Sequence, residues 1–169
     1  YRIDVASRPG LGSRFTVTMP RVPVPTLQAF AKPAPAVSTD CGFEGTPVLV
    51  IDNEPAVLES MATLLSRWGC VVITAGGRDH ALARLDESGL TPRAVLADYH
   101  LDDGQTGFDA IHSVRRHLAM DLPGAIITAD RSDETRALLR AQYLPVLNKP
   151  VKPNRLRALL TSLIASSSF

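Results

Sequence analysis

Cysteine is nearly missing from this 169-residue chain: Cys41 and Cys70 are the only two, and they form no C-x-x-C pair. That leaves no disulfide framework to read and points to a reduced, cytoplasmic setting. Long apolar runs are missing as well. None approaches the roughly 20 residues needed to cross a bilayer, and the first residues lack a basic-then-apolar leader pattern, so no direct membrane contact is expected. An excess of one charge is also absent. With 18 basic against 17 acidic side chains the net charge is +1, which removes the electrostatic case for nucleic acid as a partner. What is present is apolar: 45% of the residues, against 21% charged. That is enough for one ordinary domain plus a tail.

The apolar residues are concentrated in short runs that each end in a polar side chain. Arg93-Ala-Val-Leu-Ala leads into Asp98, Pro47-Val-Leu-Val-Ile51 into Asp52, Gly124-Ala-Ile-Ile127 into Thr128, and Leu144-Pro-Val-Leu-Asn148 into Lys149. Runs of this length and composition read as buried parallel strands. Cys70-Val-Val-Ile-Thr74 is a fifth. Helical stretches alternate with them. Val57, Leu58, Met61, Leu64, Leu65 and Trp68 make one stripe, with Pro55 suited to the first turn and Gly69 to the stop. Further helices are expected from Arg78 to Leu85, ending by Gly89; through Phe108, Ile111, Val114 and Leu118; from an N-cap at Ser132 through Leu138 and Leu139; and through Leu156, Leu159, Leu160, Leu163 and Ile164. Five such βα units predict an α/β fold: a parallel sheet with helices on both faces, and a ligand beyond the carboxyl ends of the strands. Asp52, Asp98, Thr128 and Lys149 all fall there, with Asp98 at the centre.

Upstream the pattern changes. Ile3-Asp-Val-Ala-Ser7 and Phe15-Thr-Val-Thr-Met19 alternate with period 2 around a Pro-Gly turn, which predicts an antiparallel hairpin. Ser7-x-Pro9-Gly10-x-Gly12-Ser13-x-Phe15, followed by Met19-Pro20, resembles the last hairpin of the ATP-binding domain of sensor histidine kinases. Residues 1–22 are therefore expected to be an incomplete remnant of such a domain, cut from a longer chain and binding no ATP by themselves. Residues 23–45, with Pro23, Pro25, Pro33 and Pro35, read as an extended Pro/Ala-rich linker, and the boundary of the next domain is set near Gly45.

The residue types at the strand ends suit one kind of chemistry. A carboxylate accepts a phosphoryl group when the developing charge is neutralised and the geometry is held in line. A hard divalent cation does this with carboxylate and carbonyl oxygens. Asp52, Asn53 and Glu54 are candidate donors beside Asp98. Lys149 would place an ammonium on the acceptor or on a phosphoryl oxygen, and Thr128 would offer a hydroxyl.

Val48-Leu-Val-Ile-Asp52-Asn53-Glu54-Pro55, Leu96-Ala-Asp98-Tyr99-His100-Leu101, Ile126-Ile127-Thr128-Ala129 and Leu147-Asn148-Lys149-Pro150 together resemble the receiver domain of bacterial response regulators, over residues 46–166. The resemblance implies a doubly wound, flavodoxin-like five-stranded sheet in the order 2-1-3-4-5, with Asp98 as phosphoacceptor and Thr128 and Lys149 as its catalytic partners. It implies a Mg²⁺ site built from Asp52, Asn53, Asp98 and the backbone carbonyl of His100, and a cis bond before Pro150. It also implies a phosphohistidine donor: a histidine kinase domain in the same chain, or a histidine phosphotransfer protein, with homodimerisation left open. The parent chain would be an ATP-dependent hybrid histidine kinase, while residues 46–166 would catalyse only their own phosphorylation and dephosphorylation. No DNA-binding domain is expected after the last helix.

Two positions depart from the family pattern. Asn53 stands where most members carry a second acid. A unit charge pair at ~4 Å and an effective dielectric of ~20 is worth at most about 4 kcal/mol, so weaker Mg²⁺ binding is expected, with Glu54 a candidate to compensate. Val146 occupies the place of the switch aromatic, three residues before the lysine. His100 and Asp130 are candidates for tuning dephosphorylation, Tyr99 for a ring flanking the site, and Cys70 for a core residue against which Trp68 closes the first helix. His80, His112 and His117 are expected to be solvated. Two rival readings stand beside this one. A haloacid-dehalogenase-like phosphatase also uses a strand-end aspartate, but wants an acid where His100 stands. A pseudo-receiver that has lost phosphorylation would be an interaction module.

Overall fold

Strands that carry apolar side chains at nearly every position must be covered on both faces, and this requirement shapes the computed structural model. It describes residues 2–8, 10, 12–18, 42–130 and 144–166. The chain divides into one unit ending at Thr39 and another beginning at Asp40.

The first unit is the expected hairpin. Strands β1 (Arg2–Arg8) and β2 (Gly12–Thr18) pair antiparallel, with Ile3 opposite Val17, Val5 opposite Phe15 and Ser7 opposite Ser13. The two serine hydroxyls are 2.8 Å apart. Gly10 and Gly12 take φ of 78° and 92°, a conformation in which other residues are strained. Ile3, Val5, Phe15 and Val17 fall on one face by strand alternation and are all exposed. Residues 23–41 of the expected linker, and residues 19–22 before it, lie outside the described residues.

The second unit carries a five-stranded parallel sheet. Its strands are β3 (Pro47–Ile51), β4 (Val71–Ala75), β5 (Ala94–Asp98), β6 (Gly124–Thr128) and β7 (Val146–Asn148), in the spatial order β4-β3-β5-β6-β7. Counted within the domain this is the expected 2-1-3-4-5. Helices α1 (Pro55–Ser66), α2 (Arg78–Ser88), α3 (Gly107–Leu118) and α4 (Pro153–Ser166) cover the faces. The expected helix around Ser132, Leu138 and Leu139 lies outside the described residues.

Period-2 alternation sorts the strand residues into two cores. Val48, Val50, Ala94 and Leu96 face Met61 and Leu65 of α1 and Leu156 and Leu160 of α4. Leu49, Ile51, Val95 and Ala97 face Ala81 and Leu85 of α2 and Ile111 and Val114 of α3. Gly89 ends α2 in the left-handed conformation, as its place in the pattern suggests. A Thr106–Asp109 capping box opens α3, a signal the hydrophobic pattern alone does not show.

The packed unit reaches further upstream than residue 46. Phe43 is 4% exposed, and its ring lies 6.4 Å from that of Trp68, tilted by 39°. Trp68 lies just past α1, in the turn closed by Gly69 (φ 90°), where a side chain would press on the Glu44 backbone at 3.1 Å. Cys70 is buried in the same core. The end of α1 thus exposes a large ring that needs a lid, and Phe43 provides it. Phe43→Ala is accordingly expected to cost about 3 kcal/mol of stability by chemical denaturation, the low end for a buried phenylalanine; a change below about 0.5 kcal/mol would mark residue 43 as linker.

Candidate functional site

In the parallel ladder Asp98 stands opposite Ile127, and Ile51 opposite both Ala75 and Ala97. Thr128 stands opposite Asn148. This register brings the carboxyl ends of β3, β5, β6 and β7 level with one another, and the polar residues that end the four apolar runs come with them.

Three of these side chains meet. Lys149 Nζ lies 2.6 Å from Asp98 Oδ1 and 2.9 Å from Asp52 Oδ2. Asp52 is 3% exposed and Asp98 7%, so the ammonium bridges two carboxylates that are almost out of water. The remaining carboxylate oxygens are engaged by backbone: Asp52 Oδ1 accepts from the Glu54 N–H at 2.9 Å, and Asp98 Oδ2 from the His100 N–H at 3.0 Å. No buried side-chain polar atom among the described residues lacks a partner. Burial by itself would lower the Lys149 pKa, but the hydrogen bonds and charges of Asp98 and Asp52 outweigh it and hold the ammonium above its ordinary value.

Thr128 is 1% exposed. Its hydroxyl accepts from the Asp130 N–H at 3.0 Å, and its carbonyl accepts from the Lys149 N–H at 2.8 Å. It therefore ties the lysine's strand to its own, though its side chain bonds to its own loop and not to the carboxylates. The peptide bond before Pro150 is cis. Asn53 is exposed, and its amide nitrogen donates to Asp102 Oδ1 at 2.7 Å. Glu54, also exposed, is the N-cap of α1 and contributes its backbone N–H to the site, while its carboxylate makes no capping bond.

The residues around this centre have simpler roles. The His100 ring is exposed and packs edge-on against partly buried Tyr99, centroids 4.7 Å apart. His80, His112 and His117 are exposed, as expected, though none is without a neighbour: His80 accepts from the Gly76 N–H, His112 lies against Phe108, and His117 is 2.7 Å from Asp86. Val146, on the edge strand, is 39% exposed. Beside Lys149 runs an apolar groove of about 380 Å³, lined by Val57, Met61 and Leu64 of α1 with Lys149, Pro150 and Val151.

Two residues escaped the sequence reading. Asp102 opens a single 3₁₀ turn, Asp102–Gly104, and no motif or periodicity links it to Asn53. Gly107 opens α3 directly behind the end of β5. A Cβ there would collide with the Asp98 backbone carbonyl and lie 3.0 Å from Ala97 Cβ. Glycine followed by a helical stripe was the available signal.

The donor set suits a hard cation. Among the described residues no three His, Cys, Asp or Glu side chains converge as a metal centre. The candidate donors are two carboxylates, an amide and a backbone carbonyl, all of the kind Mg²⁺ takes, and a carboxylate oxygen with one hydrogen bond keeps a further lone pair. These residues therefore fit Mg²⁺, with Lys149 offsetting part of their charge.

A doubly wound parallel sheet with acidic side chains and a lysine gathered at its carboxyl rim places this chain among the flavodoxin-like α/β proteins, whose ligands lie beyond the carboxyl ends of the strands. The family is narrower: the model of the response regulator receiver domain matches residues 48–161, and the chain belongs to that family. No curated protein sequence matches it. Among solved structures it is similar to a response regulator receiver domain protein from Clostridium thermocellum, at 24% identity over 72% of this chain and 95% of that one (TM-score 0.61). The receiver domain of the response regulator PhyR from Erythrobacter litoralis is 26% identical over 75% of this chain and 95% of that one (TM-score 0.63). The response regulator PhyR from Brucella abortus is 27% identical over 75% of this chain, which spans only 51% of that protein (TM-score 0.62). Among the described residues no helix is long and apolar enough to cross a membrane.

Two outcomes follow from this geometry. Lys149→Gln leaves two buried carboxylates without their ammonium and is expected to cost about 3 kcal/mol at neutral pH, as when one partner of a buried pair is removed. In the wild type the Lys149 pKa is raised above 10.5, so its contribution is complete below that pH and is lost as pH rises through the folded-state value. Denaturation curves should show this alkaline loss in the wild type and not in Lys149→Gln. Gly107→Ala, which favours a helix by about 1 kcal/mol in an open position, should instead destabilise by about 1–3 kcal/mol through its collision with Asp98; a net gain in stability would contradict that contact.

Proposed function

We propose that residues 46–166 form a phosphoacceptor receiver of a two-component phosphorelay, taking a phosphoryl group from phosphohistidine onto Asp98. The observation that carries this reading is the ratio at the rim: two buried carboxylates share one ammonium. A purely structural ion pair would match charge for charge, because excess buried charge is costly. Here one negative charge is left over at a site open to solvent on the lysine side, where Lys149 is 25% exposed. A divalent cation held by Asp52, Asn53, Asp98 and the His100 carbonyl would balance it. When bound, Mg²⁺ would neutralise charge on the incoming phosphoryl oxygens.

The chain's own residues do the rest. An Asp98 oxygen attacks phosphorus, the P–N bond to the donor imidazole breaks, and the electron pair leaves on that nitrogen. The His100 N–H holds the carboxylate in place. Lys149 stays beside Asp98 and compensates the phosphoryl charge, while the Thr128 hydroxyl, released from the Asp130 N–H, is within the same rim to meet a phosphoryl oxygen. The donor must reach Asp98 from the side of Lys149, so the apolar groove of α1 and Pro150 suits the helical face of a histidine kinase domain or a histidine phosphotransfer protein. The hairpin fits the proposed place of this receiver after an ATP-binding domain, in a hybrid histidine kinase.

A second reading, a receiver that works unphosphorylated as an interaction module, is favoured by Asn53 and by the aliphatic Val146. Incubation with acetyl phosphate and Mg²⁺, followed by intact mass, separates the two. One hydroxylamine-sensitive phosphoryl group per chain, absent in Asp98→Asn, is the expected result. No adduct in the wild type would favour the interaction module, and repeated turnover of a free phosphate ester would favour a phosphatase.

A further inference from the structure

Asn53 is the one candidate cation ligand that is neutral where the family pattern has an acid, and the structure places a carboxylate against it. We propose that Asp102 is a positioning residue for the cation site: it fixes which end of the Asn53 amide is available to the metal, and it restores, one hydrogen bond away, the charge that asparagine leaves out. The inference rests on the Mg²⁺ reading above.

The orientation follows from donor chemistry. An ionised carboxylate only accepts hydrogen bonds, whereas an amide has a donor end and an acceptor end. With Asp102 Oδ1 at 2.7 Å from the amide nitrogen, the donor end of Asn53 is taken. Turning the amide over would set two acceptor oxygens against each other. The oxygen, the only part of asparagine a hard cation binds, is therefore the end left over.

The charge argument follows from the same bond. A hydrogen bond to an ionised acceptor is stronger than a neutral one and polarises the amide, pushing electron density toward its oxygen. Asp102 does this from a fixed place. Leu101 is 7% exposed and anchors the turn from one side, its N–H bonding the Gln105 carbonyl at 3.0 Å. On the other side the Asp102 carbonyl accepts from the Gln105 N–H at 3.1 Å, and Gly104 closes the turn at φ 69°. Arg78 lines the same cleft as Asp102, but its guanidinium is paired with Asp79 at 2.9 Å. Asp102 is not a third carboxylate ligand, since no three acids converge here among the described residues. It acts through Asn53.

The test is a calorimetric Mg²⁺ titration of the full chain, with thermal melts in the absence of metal to check folding. Asp102 lies in an exposed turn, and Asp102→Asn keeps its shape. That variant is expected to bind Mg²⁺ about tenfold more weakly, the lower end for partners that orient a metal ligand. Asn53→Asp should raise affinity far more when residue 102 is Asn than when it is Asp, because Asp102 acts through the Asn53 amide and that route is gone once residue 53 is itself a carboxylate. Equal affinity of the wild type and Asp102→Asn would overturn the proposal. So would the same gain from Asn53→Asp in both backgrounds. If the wild type itself takes no Mg²⁺, the cation reading of the site fails, and this inference falls with it.

Discussion

The ammonium of Lys149 lies between two carboxylates that reach it from strands 97 and 51 residues earlier in the chain, at 2.9 and 2.6 Å. Each charge alone would be costly at this depth, since removing an ion from water costs several kcal/mol even after relaxation. Together they are tolerable, because every oxygen also meets a donor: the Glu54 N–H for Asp52 and the His100 N–H for Asp98. The arrangement is electrostatically incomplete all the same. Two acids and one base leave a negative excess, and that excess sets the character of the whole rim.

Holding such a group together is the task of the sheet. β5 and β6 are buried at every position, and β3 at all but its first residue, so a one-residue slip in register would move each core residue to the opposite face. The register is therefore strongly specified by the two cores, and the site inherits that precision. The supports next to the site are local as well. Gly107 lets α3 start against the Asp98 carbonyl, and the Thr106–Asp109 capping box fixes where that start falls. The Asp98 carboxylate thus sits on a strand end backed by a helix terminus, with no side chain between them.

The sheet was legible in the sequence because its information is local and repeated: five apolar runs, each flanked by turn residues, each followed by a helical stripe. The cluster of Asp52, Asp98 and Lys149 was legible for the same reason, since strand ends in a parallel sheet converge by topology. What escaped depends on pairs of residues that no periodicity connects. Phe43 sits in a stretch that composition marks as linker, and only its contact with the ring of Trp68 gives it a reason to be buried. Asp102 reads as one more acid in a polar turn until the fold sets it beside Asn53, 49 residues away. The capping box was written in the sequence as Thr-x-x-Asp, but with Asp in place of the more usual Glu or Gln its signal was weak.

Thr128 keeps the family pattern and Val146 departs from it, and the hydrogen bonds around the two differ accordingly. Thr128 joins three things: its carbonyl holds the backbone of Lys149, its hydroxyl holds the N–H of Asp130, and its own strand pairs with β5. Any shift of that hydroxyl toward the carboxylates must first give up the Asp130 bond, so the loop after β6 feels the site directly. Val146 pairs with Ile126 on the edge strand and offers no polar atom in its side chain. An aromatic ring there would have a large body to rotate and, as tyrosine, a hydroxyl to engage; a valine has one restricted torsion. Among the described residues the rim and the edge strand are therefore joined at Thr128 by its backbone bond to Lys149, beside its hydroxyl bond to Asp130, and the side chain at position 146 adds no hydrogen bond to that link.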